Sequence, residues 1–72
     1  MGQTEFFKNI NAILDCVADV AKPASVIAIE LNMSLQKAEA YCRLLERREL
    51  VIVTIGASHT NAAQNVKYFK KA

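Results

Sequence analysis

The stretch that decides the fold runs from Ser25 to Val51 and reads SVIAIELNMSLQKAEAYCRLLERRELV. Apolar residues recur at intervals of three and four in two segments of it, which predicts two amphipathic helices. Asn32-Met33-Ser34 separates them; asparagine tolerates a left-handed turn and serine is a good N-cap. The sequence therefore predicts a helix from Ala24 to Leu31, a tight turn, and a longer helix from Leu35 to Arg48.

The residues before this stretch predict a first helix, from about Glu5 to Ala21. Thr4 is placed to act as its N-cap, and Pro23 ends it because the residue before a proline disfavours the helical conformation. The apolar arc of this helix spans roughly 180°, wider than the ~100° that packing against one core requires. Either the helix wraps a small core by itself, or Phe7 and Leu14 lie in a homodimer interface. The predicted inner stripe is Ile10, Ile13, Val17 and Val20.

The residues after this stretch predict an antiparallel β-hairpin. Leu50–Ile55 is rich in β-branched residues, and Asn65–Lys70 alternates apolar and polar side chains. Gly56 is expected to break the first strand, which leaves Ala57–Gln64 as the connecting loop.

Length and composition indicate one small domain covering residues 1–72, for which dimerisation would relieve marginal stability. Hydrophobic residues make up 53% of the chain, but no run approaches the ~20 apolar residues that cross a membrane. Cys16 and Cys42 lie in apolar helical patterns without metal-ligand spacing. We therefore expect both to be small core residues of a protein in a reducing compartment. The expected location is the cytoplasm.

Charge is distributed unevenly along the chain. Residues 1–36 carry two lysines against four carboxylates, whereas residues 37–72 carry seven bases against three acids. The second half is therefore the candidate anion-binding half. One histidine, two glycines and no nucleophile or metal motif argue against an enzyme, so no catalytic residue, metal or cofactor is expected.

A small residue at Ala28, a turn residue at Asn32 and an apolar residue at Ala38 match the spacing of the helix-turn-helix. The segment LLERRELV at 44–51 is similar to the L-x-x-L-E-x-x-G-L-V exit of the recognition helix in winged-helix proteins. The chain thus resembles small bacterial, phage or plasmid transcription regulators of the winged helix-turn-helix family. That resemblance implies an α+β fold of three helices with a C-terminal two-stranded β-hairpin wing. Asn32 and Glu49 stand where the family commonly has glycine.

The resemblance also implies which residues contact DNA. Gln36 and Glu39 could hydrogen-bond adenine and cytosine, while Leu35 and Ala40 could touch a thymine methyl group. Ser34 and Lys37 are the expected phosphate contacts, at a helix N-terminus and through charge. The remaining candidates are two arginines further along the helix, two loop residues and one lysine beside the wing: Arg43, Arg47, His59, Asn61 and Lys70.

The expected function is sequence-specific binding of double-stranded DNA and transcriptional regulation, with the third helix in the major groove. Two alternatives remain open because the wing loop has no basic residue and the base-reading set is poor. The first is a winged-helix adaptor that binds another protein. The second is an accessory factor that binds DNA only together with a partner protein. An exposed helix face with a Glu39–Arg43 ion pair would need no function at all.

Overall fold

The computed structural model describes residues 2–57 and 65–72, with the side chains of residues 2 and 3 left aside. Three helices are followed by a two-stranded antiparallel hairpin, an α+β layout consistent with a winged helix, and the predicted fold class is confirmed. None of the helices in these ranges is long and apolar enough to cross a membrane. The elements are α1 (Gly2–Cys16), α2 (Ala24–Glu30), α3 (Leu35–Arg47), β1 (Val51–Ala57) and β2 (Asn65–Lys71).

The first helix begins and ends earlier than predicted. It runs from Gly2 to Cys16, so Thr4 lies inside the helix and is not its N-cap. Val20 does not join the inner stripe, because the chain has already left the helix and this side chain is 62% exposed. The cause lies further along: Lys22 and Phe69 exchange backbone hydrogen bonds of 3.0 and 2.9 Å, so the chain must be extended at Lys22. The helix stops early to make that turn.

The turn between α2 and α3 is built as predicted, with Asn32 in the left-handed region at φ 54°. The amide of Met33 donates to the carbonyl of Ala28 at 2.9 Å, and the amide of Asn32 donates to Ile29 at 3.3 Å. These two bonds form a Schellman motif, which satisfies carbonyls that the end of the helix leaves unpaired. The small size of Ala28, which is 6% exposed, lets α2 and α3 approach closely at the same point.

The end of α3 repeats the same motif. Glu49 has φ 59°, its amide donates to Glu46 at 3.1 Å, and the amide of Leu50 donates to Leu45 at 3.0 Å. Glu49, which stands where the winged-helix pattern commonly has glycine, therefore adopts the left-handed conformation itself. The abrupt change from helix to strand requires that conformation.

The core lies between the three helices and one face of the hairpin. Ile13, Ile27 and Leu45, from three different helices, are fully buried, and each contributes roughly 1.5–3 kcal/mol by leaving water. The complete set of buried apolar residues is Ile10, Ile13, Val17, Ala24, Ile27, Ala28, Ala38, Cys42, Leu45, Val51 and Phe69.

Both cysteines were expected in the core. Cys42 is buried there, but Cys16 is only half-buried. The Cys16 thiol is half-buried and donates to Oε1 of Glu30 at 3.2 Å, while Lys22 Nζ lies 2.8 Å from the same oxygen. Burial, followed by the hydrogen bond to Glu30, raises the pKa of Cys16. The hydrogen bond from Lys22 lowers the pKa of Glu30. This polar cluster ties the end of α1 to α2.

Gly56 does not break β1, contrary to the sequence-based expectation. The strand continues through it, with Gly56 opposite Val66. A Cβ atom at Gly56 would lie 2.9 Å from Cε1 of Tyr68, so the tyrosine ring occupies the space a side chain would need. The Tyr68 hydroxyl donates to the carbonyl of Ala57 at 2.9 Å and holds the ring there. The glycine is thus a packing requirement within the strand rather than its end.

Candidate nucleic-acid interface

The start of α3 is fixed by Ser34, as predicted. Ser34 is extended, with φ −67° and ψ 151°, and its hydroxyl oxygen accepts a hydrogen bond from the amide of Lys37 at 3.1 Å. The hydroxyl therefore acts as a helix cap, while the other amides of the first turn point outward from the positive end of the helix dipole. An anion is favoured at that end.

The two sides of α3 are sharply different. Ala38, Cys42 and Leu45 are buried at 0–1% exposure and hold the helix against the core. The predicted contact residues all lie on the exposed sides of the helix, so the fold does not need them for packing. They are Leu35, Gln36, Lys37, Glu39, Ala40, Arg43 and Arg47.

Lys37 is held by a residue of another helix. Its Nζ lies 3.3 Å from Oε1 of Glu5 on α1, and both side chains are largely exposed. Glu39 and Arg43, by contrast, form no ion pair with each other among the described residues. The positive charge of Arg43, near the centre of the exposed face, is therefore not paired with Glu39. The charge of Lys37 is paired with Glu5.

A groove of about 620 Å³ separates α3 from β2. Lys67 Nζ lies 3.8 Å from Oε1 of Glu46 and spans the groove from strand to helix. The walls mix cations, carboxylates and an amide with apolar side chains, including Val66 and Phe69, so the groove suits a partner that offers both polar and apolar groups. Its lining includes Leu35, Glu39, Arg43, Glu46, Asn65 and Lys67.

The hairpin places Lys67, which was not among the predicted residues, beside α3, and the predicted Lys70 on the other face of the sheet. Lys70 lies opposite Ile52 on the outer face of the sheet, whereas Lys67 shares the inner face with the buried Phe69. Successive strand residues point to opposite faces, so Lys67 reaches α3 and Lys70 does not. The sequence held this signal: Lys67 is two residues from the one aromatic side chain that had to face the core.

The other predicted residues lie between the two strands of the hairpin and on α1. His59 and Asn61 lie outside the described residues. Phe7 is 60% exposed, with its ring edge-on to Phe6 at 5.5 Å, whereas Leu14 is half-buried against the core. Tyr41 is packed, accepting a hydrogen bond from Asn9 at 3.1 Å.

The described residues contain no group of three or more His, Cys, Asp or Glu side chains placed to hold a metal ion. Comparison with known proteins finds no protein-family model and no curated protein that matches the chain. The geometry of the site therefore carries the functional argument alone.

Proposed function

We propose that this protein belongs to the winged helix-turn-helix class and binds double-stranded DNA through α3, regulating transcription in the cytoplasm as a homodimer. One observation carries the proposal: α3 follows a tight Schellman turn, is anchored on one side only, and exposes its whole opposite side from Leu35 to Arg47. A helix presented in this way has the dimensions of the DNA major groove.

The residue types on that face support base reading at a few positions. Gln36 can bind adenine with two hydrogen bonds, and Glu39 can accept one from cytosine. Leu35, which is 49% exposed, offers an apolar contact to a thymine methyl group. Glu39 also repels phosphate, so it is useful only where it faces a base edge.

The cations around this face support phosphate binding on both of its sides. Arg43 and Arg47 are exposed on α3, and Lys67 stands across the groove on β2. Lys37 adds a fourth cation beside the capped helix N-terminus once it leaves Glu5. This arrangement acts by binding, and none of these residues is assigned a catalytic role.

A protein-binding adaptor is the second candidate, and an apolar surface favours it. Ile29 is 81% exposed on α2, and with Met33 and Leu35 it borders a depression of about 540 Å³ beside the turn. Glu39 and Glu46 in the neighbouring groove weaken attraction to DNA. The third candidate, an accessory factor, would bind DNA only when a partner protein adds contacts.

The deciding experiment is the salt dependence of binding to a mixed-sequence duplex, followed by fluorescence anisotropy. A protein making about four phosphate contacts loses roughly a hundredfold in affinity between 50 and 200 mM salt. The double variant Arg43→Ala, Arg47→Ala should weaken binding and reduce the slope of log affinity against log salt by about two. Lys8→Ala, which removes an exposed cation from α1, is the matched control and should leave the slope unchanged.

The result also separates the three candidates. A folded protein that binds no duplex at low salt contradicts the DNA proposal and favours the adaptor. Binding that appears only after a second protein is added identifies the accessory factor.

A further inference from the structure

The outer edge of β1 is open for hydrogen bonding, and its geometry follows from bonds elsewhere in the sheet. Lys22 and Phe69 exchange both of their backbone hydrogen bonds, so the Phe69 groups point away from β1. Val53 is opposite Phe69, so this pair is not hydrogen-bonded and Val53 directs its N–H and C=O outward. The direction of the backbone groups alternates along the strand, so Ile55, two residues further on, also directs its N–H and C=O outward. Among residues 2–57 and 65–72, no backbone group pairs with this edge.

This edge lacks the devices that usually protect an exposed strand. Natural edge strands carry lysine or proline, or are short or bulged, because an open edge pairs with other chains. β1 is seven residues long, VIVTIGA, with no charge and no proline. Ile52 and Ile55 are 58% and 57% exposed. β2, in contrast, carries Lys67, Lys70 and Lys71.

We propose that β1 is a homodimer interface, at which two copies of the chain pair antiparallel about a two-fold axis at Thr54. Thr54 is the central residue of Val51–Ala57, so this register places Val53 opposite Ile55 of the second copy. Both residues direct their backbone groups outward, and each such pair can therefore exchange two hydrogen bonds. The two hairpins become one four-stranded sheet.

The side chains fit a second copy of this chain in the same register. Ile52 lies opposite Gly56 of the second copy, where no Cβ stands in its way and the Tyr68 ring offers an apolar surface. Thr54 lies opposite its own copy, and threonine pairs are favourable across strands. The strand has no charge to repel itself. The alternative surface on α1 is weaker, because Leu14 already packs against the core.

This interface gives the homodimer of the proposed function a location that differs from Phe7 and Leu14. Its test uses no DNA, so failure of strand pairing and failure of DNA binding are separate results.

Sedimentation equilibrium of the full chain tests the proposal, with Ile55→Pro as the main variant. The Ile55 amide points outward, so proline there removes no bond between β1 and β2 but removes a donor from the interface. We expect the wild type to dimerise and this variant to weaken the dimer by at least about tenfold. Ile55→Lys, which places a charge at the edge, should do the same if proline disturbs folding.

Val20→Lys is the matched control, because it places the same charge at an exposed β-branched residue outside β1. It should leave the dimer intact. In the wild type, amide exchange at Val53 and Ile55 should slow as protein concentration rises. A monomer at millimolar concentration overturns the proposal, and so does a dimer that survives both Ile55 variants but is lost in Phe7→Ser.

Discussion

The ammonium nitrogen of Lys37 lies 3.3 Å from Oε1 of Glu5, so a residue of the proposed recognition helix is held by a carboxylate on α1. Both side chains are well exposed, and exposed pairs of this kind contribute only about 0.2–1 kcal/mol. A phosphate group would compete with Glu5 for the same ammonium group. If α3 binds DNA as proposed, the ion pair has to open for Lys37 to reach a phosphate, and the cost is small.

Removing that competitor should strengthen DNA binding. We expect Glu5→Gln to raise affinity for a duplex by roughly two- to fivefold, since opening the pair no longer costs free energy. Fluorescence anisotropy at fixed low salt measures the effect. Asp15→Asn is the control, because it removes the same charge from the same helix at an exposed position outside the pair. Equal gains in both variants would mean that only net charge matters.

Substitutions at two neighbouring residues of α3 should have different effects, one on the affinity for DNA and the other on the preferred DNA sequence. Lys37→Ala should weaken binding to all duplexes alike and lower the salt slope by about one, because a phosphate contact carries no sequence information. Gln36→Ala should change the preferred bases and leave the salt slope unchanged, because it removes a base contact. Selection of bound sequences from a random pool, done with each variant, measures the preference. If neither substitution alters selection or slope, α3 is not the helix that contacts DNA.

The sequence predicted the elements whose signals are local. Asn32 and Ser34 mark a turn and a helix start through their own backbone and side-chain chemistry, and the structure places both as expected. The end of α1 was missed because its cause is distant. Lys22 is drawn into a bridge with Phe69, 47 positions further along the chain, and no local pattern near residue 16 reports that bond.

The candidate site also divides into features with a local sequence signal and features fixed by distant contacts. The α3 residues that the winged-helix resemblance implies for DNA contact are all exposed, and that set was predicted. The pairing of Lys37 with Glu5 was not, because it depends on how α1 crosses α3. Lys67 could have been found from strand alternation once Phe69 was placed in the core, whereas Lys70 was chosen because it lies beside the wing in the sequence.

Replacing Glu49 with glycine should stabilise the fold. A left-handed conformation costs a non-glycine residue roughly 1–2 kcal/mol, and Glu49 adopts it at φ 59°. Glycine would remove that cost but would add about 0.4–1 kcal/mol of unfolded-state entropy. We therefore expect Glu49→Gly to raise the free energy of unfolding by about 1 kcal/mol, measured by urea denaturation. Asn32→Gly should give a smaller gain, because asparagine tolerates this region. A loss of stability in Glu49→Gly would show that the glutamate side chain contributes more than its backbone costs.

Stability at alkaline pH should depend on Cys42. Burial raises the pKa of its thiol to about 11, whereas an exposed thiol titrates near 8.5. Below about 8.5 both the folded and the unfolded chain hold the proton, so the free energy of unfolding is unaffected. Between about 8.5 and 11 only the unfolded chain releases it, and folding loses stability as pH rises.

The variant Cys42→Ala isolates this effect, because every other titrating group remains. The variant should be less stable than the wild type at neutral pH, since it leaves a small cavity at a side chain that is 1% exposed. Its stability should then fall less steeply between pH 8.5 and 10. Urea denaturation of both proteins under reducing conditions, at half-unit pH intervals, measures the difference. Parallel profiles would mean that the Cys42 thiol titrates alike in the folded and unfolded chains.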